Sequence, residues 1–481
     1  MDNNLINGEE FDDIEKEMKK KNKLNKYIII IPIVAICITA LIIILSIYYM
    51  KNNKKDKCEK GEGDKCLTCD NKNCASCNPR YELFNGKCKA SFSINAVYES
   101  NTENQSIKLI NSSYLDNIIN MTINDKIVSP GEKYIFNHPG NHTVYILINI
   151  TNISSIDYMF SEINKLTYIS FSKEFDTKNI KSMKNLFYLC SKLTSVDISN
   201  FNTEQVQDMS YIFAGNKILS SIKFPNYKTP NLLNMRSMFS NCPMLSSIDL
   251  SNFNPNNLKI FSFTFYGCSS LTSIDISMIN PEKVINMSSL FSDCYNLTSI
   301  KFSKYKTNSL QSMNNIFQNC TSLKSIDLSN FNTENVVEMR GMFIYCSSLT
   351  SIKLTNFDTQ KVENMKSLFN GCVSLTSIDL SNFKTPNLKY IDYMFKDCAL
   401  LKYLDFSHFN FEKILVADYL FMGCSSLISA NLYNFSPKSI SSMISMFRGC
   451  SSIVSIDLSN LYTQKINNMN YMFADCYILN I

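Results

Sequence analysis

The stretch CTSLKSIDLSNFNTENVVEMRGMF, Cys320 to Phe343, holds the pattern that decides the fold. Its cysteine returns every 26 residues, at Cys242, Cys268, Cys294, Cys320, Cys346, Cys372, Cys398, Cys424, Cys450 and Cys476, and the register run backwards meets Asn216 and then Cys190. Twelve units therefore follow one another from Cys190 without an insertion. A fixed period of this length marks a solenoid, in which each unit buries its apolar face only against its neighbours. Such a stack offers a wall for binding rather than a pocket for chemistry.

Counted from the cysteine as zero, apolar residues fall at +3, +6, +8, +11, +16, +19 and +22 or +23, as in Cys346, Leu349, Ile352, Leu354, Phe357, Val362, Met365 and Phe369. Ile352 and Leu354 alternate with Ser351, Lys353 and Thr355, the period of a strand with one buried face. Val362, Met365 and Phe369 have helical spacing. Thr203, Thr229, Thr307, Thr333, Thr359, Thr385 and Thr463 stand where a hydroxyl caps a helix start, and Pro230 and Pro386 follow as first helical residues. Gly215, Gly267, Gly371, Gly423 and Gly449 precede the cysteine where a left-handed residue ends a helix. Each unit is thus expected to be a strand followed by a short helix.

These units resemble the BspA-like leucine-rich repeat of bacterial and protist surface proteins, over about 165 to 481. Phe recurs at +23 in every complete unit, and a degenerate earlier unit, one residue longer, runs through Leu166, Ile169, Phe171, Phe175, Ile180, Met183 and Phe187. The resemblance implies an α/β horseshoe of about 12 to 13 strand-helix units at a cell surface, used in adhesion or recognition, with no catalytic residue.

Ile28 to Met50 is 23 residues without a charge. At about 1.5 Å per residue it spans roughly 34 Å, enough for a bilayer core. A transmembrane signal anchor over 27–50 is expected, with a cytosolic tail at 1–26; the polar, acidic tail and the length of the run speak against a cleaved signal peptide. Lysines flank both ends, so charge does not orient the segment. The cysteines do: Cys58, Cys66, Cys69, Cys74, Cys77 and Cys88 form an even set within 51–90, a segment too poor in apolar residues to fold without cross-links. Disulfides persist only outside the cytosol, which makes 51–90 a stalk and the chain a type II plasma-membrane protein with its C-terminal part outside. Zinc is the rival for these six, although its two C-x-x-C knuckles ordinarily stand further apart than Cys69 and Cys74 do. CLTCDNKNCASCNPRYELFNGKC, Cys66 to Cys88, is similar to the furin-like or growth-factor-receptor cysteine-rich modules, which implies disulfide rungs and leaves the pairing open.

Between stalk and repeats, alternation at Val144, Ile146, Ile148 and Ile150, with turns at Pro130-Gly131 and Pro139-Gly140, predicts a β-rich cap over 91–156 and the solenoid over 157–481. Six glycosylation sequons cluster there, at Asn104, Asn111, Asn120, Asn141, Asn149 and Asn152. His138 and His142 lie close in sequence, but no thiol or carboxylate pattern joins them, so no metal or other cofactor is expected. A net charge of only +5 with dispersed lysines excludes a nucleic-acid partner, and three histidines with no nucleophile motif or phosphate loop leave no enzyme class to assign.

The outward strand position +7 reads Asp197, Lys223, Asp249, Asp275, Lys301, Asp327, Lys353, Asp379, Asp405, Asn431 and Asp457. Neighbours there stand about 4.8 Å apart, and the interspersed lysines favour cross-strand charge pairs over a calcium ladder. The repeat departs from its own consensus at Cys398 and Cys424, where Tyr403, His408 and Tyr433 replace outward Ser and Asn and Asn431 replaces Asp. Tyr403, Asp405, His408, Asn431 and Tyr433 are the candidate ligand-binding residues. The favoured reading is a surface protein that binds an extracellular protein or glycan; the alternatives are a structural coat without a specific ligand and an intracellular scaffold of inverted topology. The coil ending near Ile481 has no polar cap, so a homodimer through that end is also expected.

Overall fold

The amides of Met339, Gly341, Phe343 and Tyr345 donate to the carbonyls of Asn364, Lys366, Leu368 and Asn370 in the next coil, at 3.0, 2.8, 2.9 and 2.7 Å. The amides between them close tight turns within the coil, Ile344 onto Gly341 and Cys346 onto Phe343, both at 3.1 Å. An α-helix would return each amide to the carbonyl four residues back. The segment expected to be a helix is therefore a stack of turns, and the 26-residue unit is one coil of a β-solenoid. This overturns the strand-helix horseshoe: the only helical element among the described residues is the six-residue 3-10 turn Ser112–Asn117.

The computed structural model describes the backbone of 66–70, 73–77, 81–84 and 87–90, together with 92–480 apart from 227 and 305. The chain divides into two compact units at Ala90 and Ser91. In the first, β1 (Cys66–Asp70) pairs antiparallel with β2 (Asn73–Cys77), and β3 (Tyr81–Phe84) with β4 (Lys87–Ala90). In the second, β5 (Ser93–Ser100), β6 (Gln105–Lys108), β7 (Ile118–Ile123), β8 (Lys126–Val128), β9 (Lys133–Phe136) and β10 (Gly140–Ile148) precede the coils. β5 lies antiparallel to β11 (Leu166–Phe171), which continues in parallel into β12 (Ser195–Asp197) and β13 (Ser221–Lys223). One seven-stranded sheet thus covers the apolar end of the first coils.

The expected single-pass plasma-membrane placement does not stand. No helix among the described residues is long and apolar enough to cross a membrane. The 27–50 segment on which that expectation rested lies outside the described residues.

Spacing alone misled the reading of the second half of each unit. Inward residues three and four apart suit a helix, but they also suit overlapping turns. Left-handed residues decide between the two: positions +21 and +25 have positive φ, as at Ser367 (56°) and Gly371 (75°) or Asn315 (56°) and Asn319 (58°). A left-handed residue other than glycine costs about 1–2 kcal/mol and does not recur inside an α-helix. Ser367 and Gly371 each stand third in a turn, closed by Leu368 on Met365 at 3.2 Å and by Cys372 on Phe369 at 3.1 Å, the place where a type II turn needs positive φ. A Cβ on Gly371 would run into the Tyr345 ring of the coil before.

The threonines are likewise not helix caps. Thr307, Thr333 and Thr359 are buried, and their hydroxyls donate to Asn332, Asp358 and Lys384 carbonyls of the next coil at 2.9, 2.7 and 2.9 Å. Pro386 stands second in a turn closed by Leu388 on Thr385 at 3.2 Å, where its fixed φ fits. Just before the left-handed turns, an unbroken series of twelve parallel bridges runs from Ser155 to Asn468. The strand half pairs only two coils at a time beyond β13: β14 (Ser273–Asp275) with β15 (Ser299–Lys301), β16 (Ser325–Asp327) with β17 (Ser351–Lys353), and β18 (Tyr403–Asp405) with β19 (Ser429–Asn431).

Inside, the +23 phenylalanines stack ring on ring from Phe160 to Phe473; Phe343 lies 5.4 Å from Phe317 and 5.6 Å from Phe369. The repeat cysteines are free, and each donates its thiol to a phenylalanine carbonyl one coil back, as Cys346 to Phe317 at 3.0 Å and Cys372 to Phe343 at 3.2 Å. Where the cysteine is missing, the Asn216 amide makes the same bond to Phe187 at 2.9 Å. The position thus calls for a small buried donor rather than only a small apolar group. Burial pushes the Cys346 thiol up to about 12, so it keeps the proton that it donates.

Phe343→Ala is expected to lose about 3–5 kcal/mol in urea unfolding, because it opens a cavity between two rings; Asp327→Ala, on an exposed carboxylate, about 1 kcal/mol or less. Equal losses would show that the inward and outward positions are reversed. Cys346→Ala should cost about 1 kcal/mol through the lost donor. Iodoacetamide at pH 8 should modify peptides containing Cys242 to Cys450 only as fast as the protein unfolds, read by mass spectrometry.

Candidate functional site

The outward residues of the strand half carry their own hydrogen-bond pattern. Each +7 aspartate accepts from the amide two residues on, as Asp327 from Ser329 and Asp405 from Ser407, both at 2.9 Å, so the chain turns at the strand end. The other carboxylate oxygen reaches the next coil: Asp197 meets Lys223 at 3.2 Å, Asp275 meets Lys301 at 2.7 Å and Asp327 meets Lys353 at 3.1 Å. These are the cross-strand charge pairs that the sequence pattern favoured. At +10, asparagine amides stitch neighbouring coils, Asn382 to Thr355 O at 2.8 Å and Asn434 to Ser407 O at 2.9 Å.

Against this background the departures gather in one place. Tyr403, Asp405, Asn431 and Tyr433 line a single open groove of about 640 Å³, to which Asp457 of the following coil also contributes. Asn431 donates from Nδ2 to Asp405 Oδ1 at 2.9 Å, where other coils have an ion pair. The Ser407 amide first, then the Ser407 hydroxyl, Asn431 and the nearby His408 imidazole hold the Asp405 carboxyl below its usual range. His408 is exposed and does not line the groove; it occupies the +10 place that asparagine fills in most coils. Tyr403 and Tyr433 are 61% and 65% exposed on a face built mostly of Ser, Asn, Asp and Lys.

Tyr433 also borders a second open groove, of about 650 Å³, that the sequence reading missed. Asn434, Asn460 and Tyr462 line it, with Glu412 and Lys438 paired across neighbouring coils at 2.6 Å. Tyr462, at +12 where Asn or Lys is usual, is the sequence signal that marks it.

The remaining sites lie in the two units separately. In the first unit, backbone register sets Cys66 opposite Cys77 and Cys69 opposite Cys74, while Cys88 stands opposite Leu83; Cys58 lies outside the described residues. In the second, Asn104, Asn141 and Asn152 are exposed and Asn120 is half-buried in β7. Asn111 caps the 3-10 turn through Ser113 N at 3.0 Å, and Asn149 Oδ1 accepts from Thr151 N at 3.1 Å. His142 stacks on Phe136 at 4.1 Å, and its ring nitrogens meet Ser100 Oγ at 2.9 Å and Asn124 Nδ2 at 3.2 Å. No group of three or more metal-ligating side chains forms among the described residues.

The family model described as "Mycoplasma protein of unknown function, DUF285" matches residues 154–274, 221–326, 261–353, 311–426 and 401–481. No curated protein matches the chain. Similar solved structures include a leucine-rich cell surface protein from Faecalibacterium prausnitzii A2-165, at 18% identity over 53% of this chain and 64% of that one, with a TM-score of 0.29. A leucine-rich repeat protein from Eubacterium ventriosum ATCC 27560 is 17% identical over 63% of this chain and 82% of that one, TM-score 0.29. The crystal structure titled "TLR13-ssRNA13 complex" matches at 16% over 63% of this chain and 46% of that one, TM-score 0.26. At such TM-scores the chains do not superpose over their length, and no argument rests on them.

The charge ladder makes the solenoid sensitive to acid. Lys301, then the hydroxyl and amide of Ser277, hold Asp275 down to about 2, and Ser329 with Lys353 holds Asp327 down to about 2. Both lie below the usual aspartate value of about 3.9, so their stabilisation is complete above that pH and vanishes as pH falls towards 2. Because the pairs are exposed, the difference in stability between wild type and Lys301→Met/Lys353→Met should be only about 1 kcal/mol per pair at pH 6. Thermal melts should show it closing by pH 2; a difference that persists there would assign it to packing of the lysine stems.

Proposed function

The chain belongs to this DUF285 family, and from that premise we propose that it is a non-catalytic recognition protein, acting in adhesion through a protein or glycan ligand held on coils 398 to 476. The observation that carries this reading is the convergence of Tyr403, Asp405, Asn431 and Tyr433, from neighbouring coils, on one open groove. An aromatic face with a polar tip is the residue type that anchors interfaces. A solenoid fixes the place of each outward side chain through its buried frame, so the groove is formed before the ligand arrives.

Beads coated with the full chain provide the test. Retention on mucin, on collagen or on fixed cells is expected, and Tyr403→Ala/Tyr433→Ala should reduce it about tenfold or more, in keeping with two interface anchors. Unchanged retention by that variant removes the site. Absence of retention of the wild-type beads on every surface would leave the coat reading in its place.

A further inference from the structure

The two grooves share Tyr433, and together they carry one exposed tyrosine in each of three successive coils: Tyr403, Tyr433 and Tyr462, at 61%, 65% and 57% exposure. We propose that they form one cleft for a neutral, linear glycan, with the three tyrosines as stacking platforms. This inference rests on the reading of this face as the binding face and names the ligand class.

Three features of the cleft point to sugar. A pyranose offers a flat face of C–H groups, which packs on an aromatic ring, and a rim of hydroxyls that both donate and accept. The cleft supplies the complement: Tyr rings as its exposed apolar surface, and Asp405, Asn431, Asn434, Asp457 and Asn460 as acceptors and donors beside them. The coil spacing of about 4.8 Å is close to the length of one sugar ring in a linear chain, so successive coils present successive polar rungs.

Charge sets the class further. Lys438, the cation at the Tyr462 groove, is tied to Glu412 at 2.6 Å, while Asp405 and Asp457 in the other groove face no lysine at their +7 neighbour Asn431. A sulfated or phosphorylated chain would meet carboxylates there, at a cost that a neutral glycan escapes. A protein ligand would need a desolvated apolar centre. Here Phe409 and Phe411 are buried at 3% and 2%, Leu461 is half-buried, and the rest of the wall is Asn, Ser, Tyr and the Glu412–Lys438 pair.

The full chain should be titrated calorimetrically with cellohexaose, maltohexaose, hexa-N-acetylchitohexaose and mannohexaose, and with a heparin hexasaccharide as the anionic probe. One neutral hexasaccharide is expected to bind at least tenfold tighter than heparin. Tyr433→Ala and Tyr462→Ala, checked for fold by circular dichroism, should each weaken it about tenfold or more, while Tyr345→Ala, exposed on the turn face, leaves it unchanged. Preference for heparin, absence of binding to all four neutral probes, or a Tyr433→Ala variant that binds as wild type would each overturn the proposal. If the coated beads lose retention on Tyr403→Ala/Tyr433→Ala while no hexasaccharide binds, the recognition reading stands and the glycan is excluded.

Discussion

The hydrogen bonds that pass from turn to turn between coils are the constraint on which this solenoid depends. They require left-handed residues at +21 and +25 in coil after coil, many of them not glycine: Tyr393 and Asp397, or Tyr419 beside Gly423. Each non-glycine member is strained by about 1–2 kcal/mol, and the strain persists only because neighbouring coils over-determine it. The Phe stack and the cysteine thiols serve the same end. A ring at +23 fixes the distance between coils, and the thiol fills the second acceptor site of a carbonyl that the turn has already used once, as at Phe317, bonded by Cys320 N at 3.1 Å and Cys346 Sγ at 3.0 Å.

A frame this demanding releases its outward positions. Residues at +5, +7, +9, +10 and +12 contribute little to the stack beyond one charge pair or one amide bridge, each a small term. Substitution there changes what the wall displays without changing its register. That is why the departures at Tyr403, Tyr433 and Tyr462 coexist with an intact inner row, Phe395, Phe421 and Phe447, spaced 6.1 and 5.2 Å apart.

The period, the inward positions and the aspartate-lysine pairs were legible in the sequence because each is a property of one residue repeated in register. The left-handed residue before the cysteine was legible too, from Gly371 and Gly423. What it terminates was not. Met365, Leu368 and Phe369 have the same spacing on a helix and on overlapping turns, and only the destination of the amides separates the two. The second left-handed site stayed hidden because Ser367, Tyr393 and Asn315 share no residue type. The candidate groove was found from Tyr403 and Tyr433, which break a visible consensus, whereas Glu412 and Lys438 became a pair only once 26 residues were seen to be one step in space.

The strand half is loosely tied just before the site, as it also is between Lys223 and Ser273. Asp379 and Asp405 occupy neighbouring +7 positions with no lysine between them, and His408 takes the place of a stitching asparagine. Among the described residues, strand pairing stops after Lys353 and resumes only at Tyr403. Like charges in register oppose close pairing, so the coils before the groove are joined instead by side-chain bridges such as Asn382 to Thr355 O at 2.8 Å and by the turn stack, through bonds such as Phe369 to Met394 at 2.8 Å. The outward positions of these coils thus vary while the turn stack and the Phe row keep the register, so display and folding rest on opposite sides of the same coil.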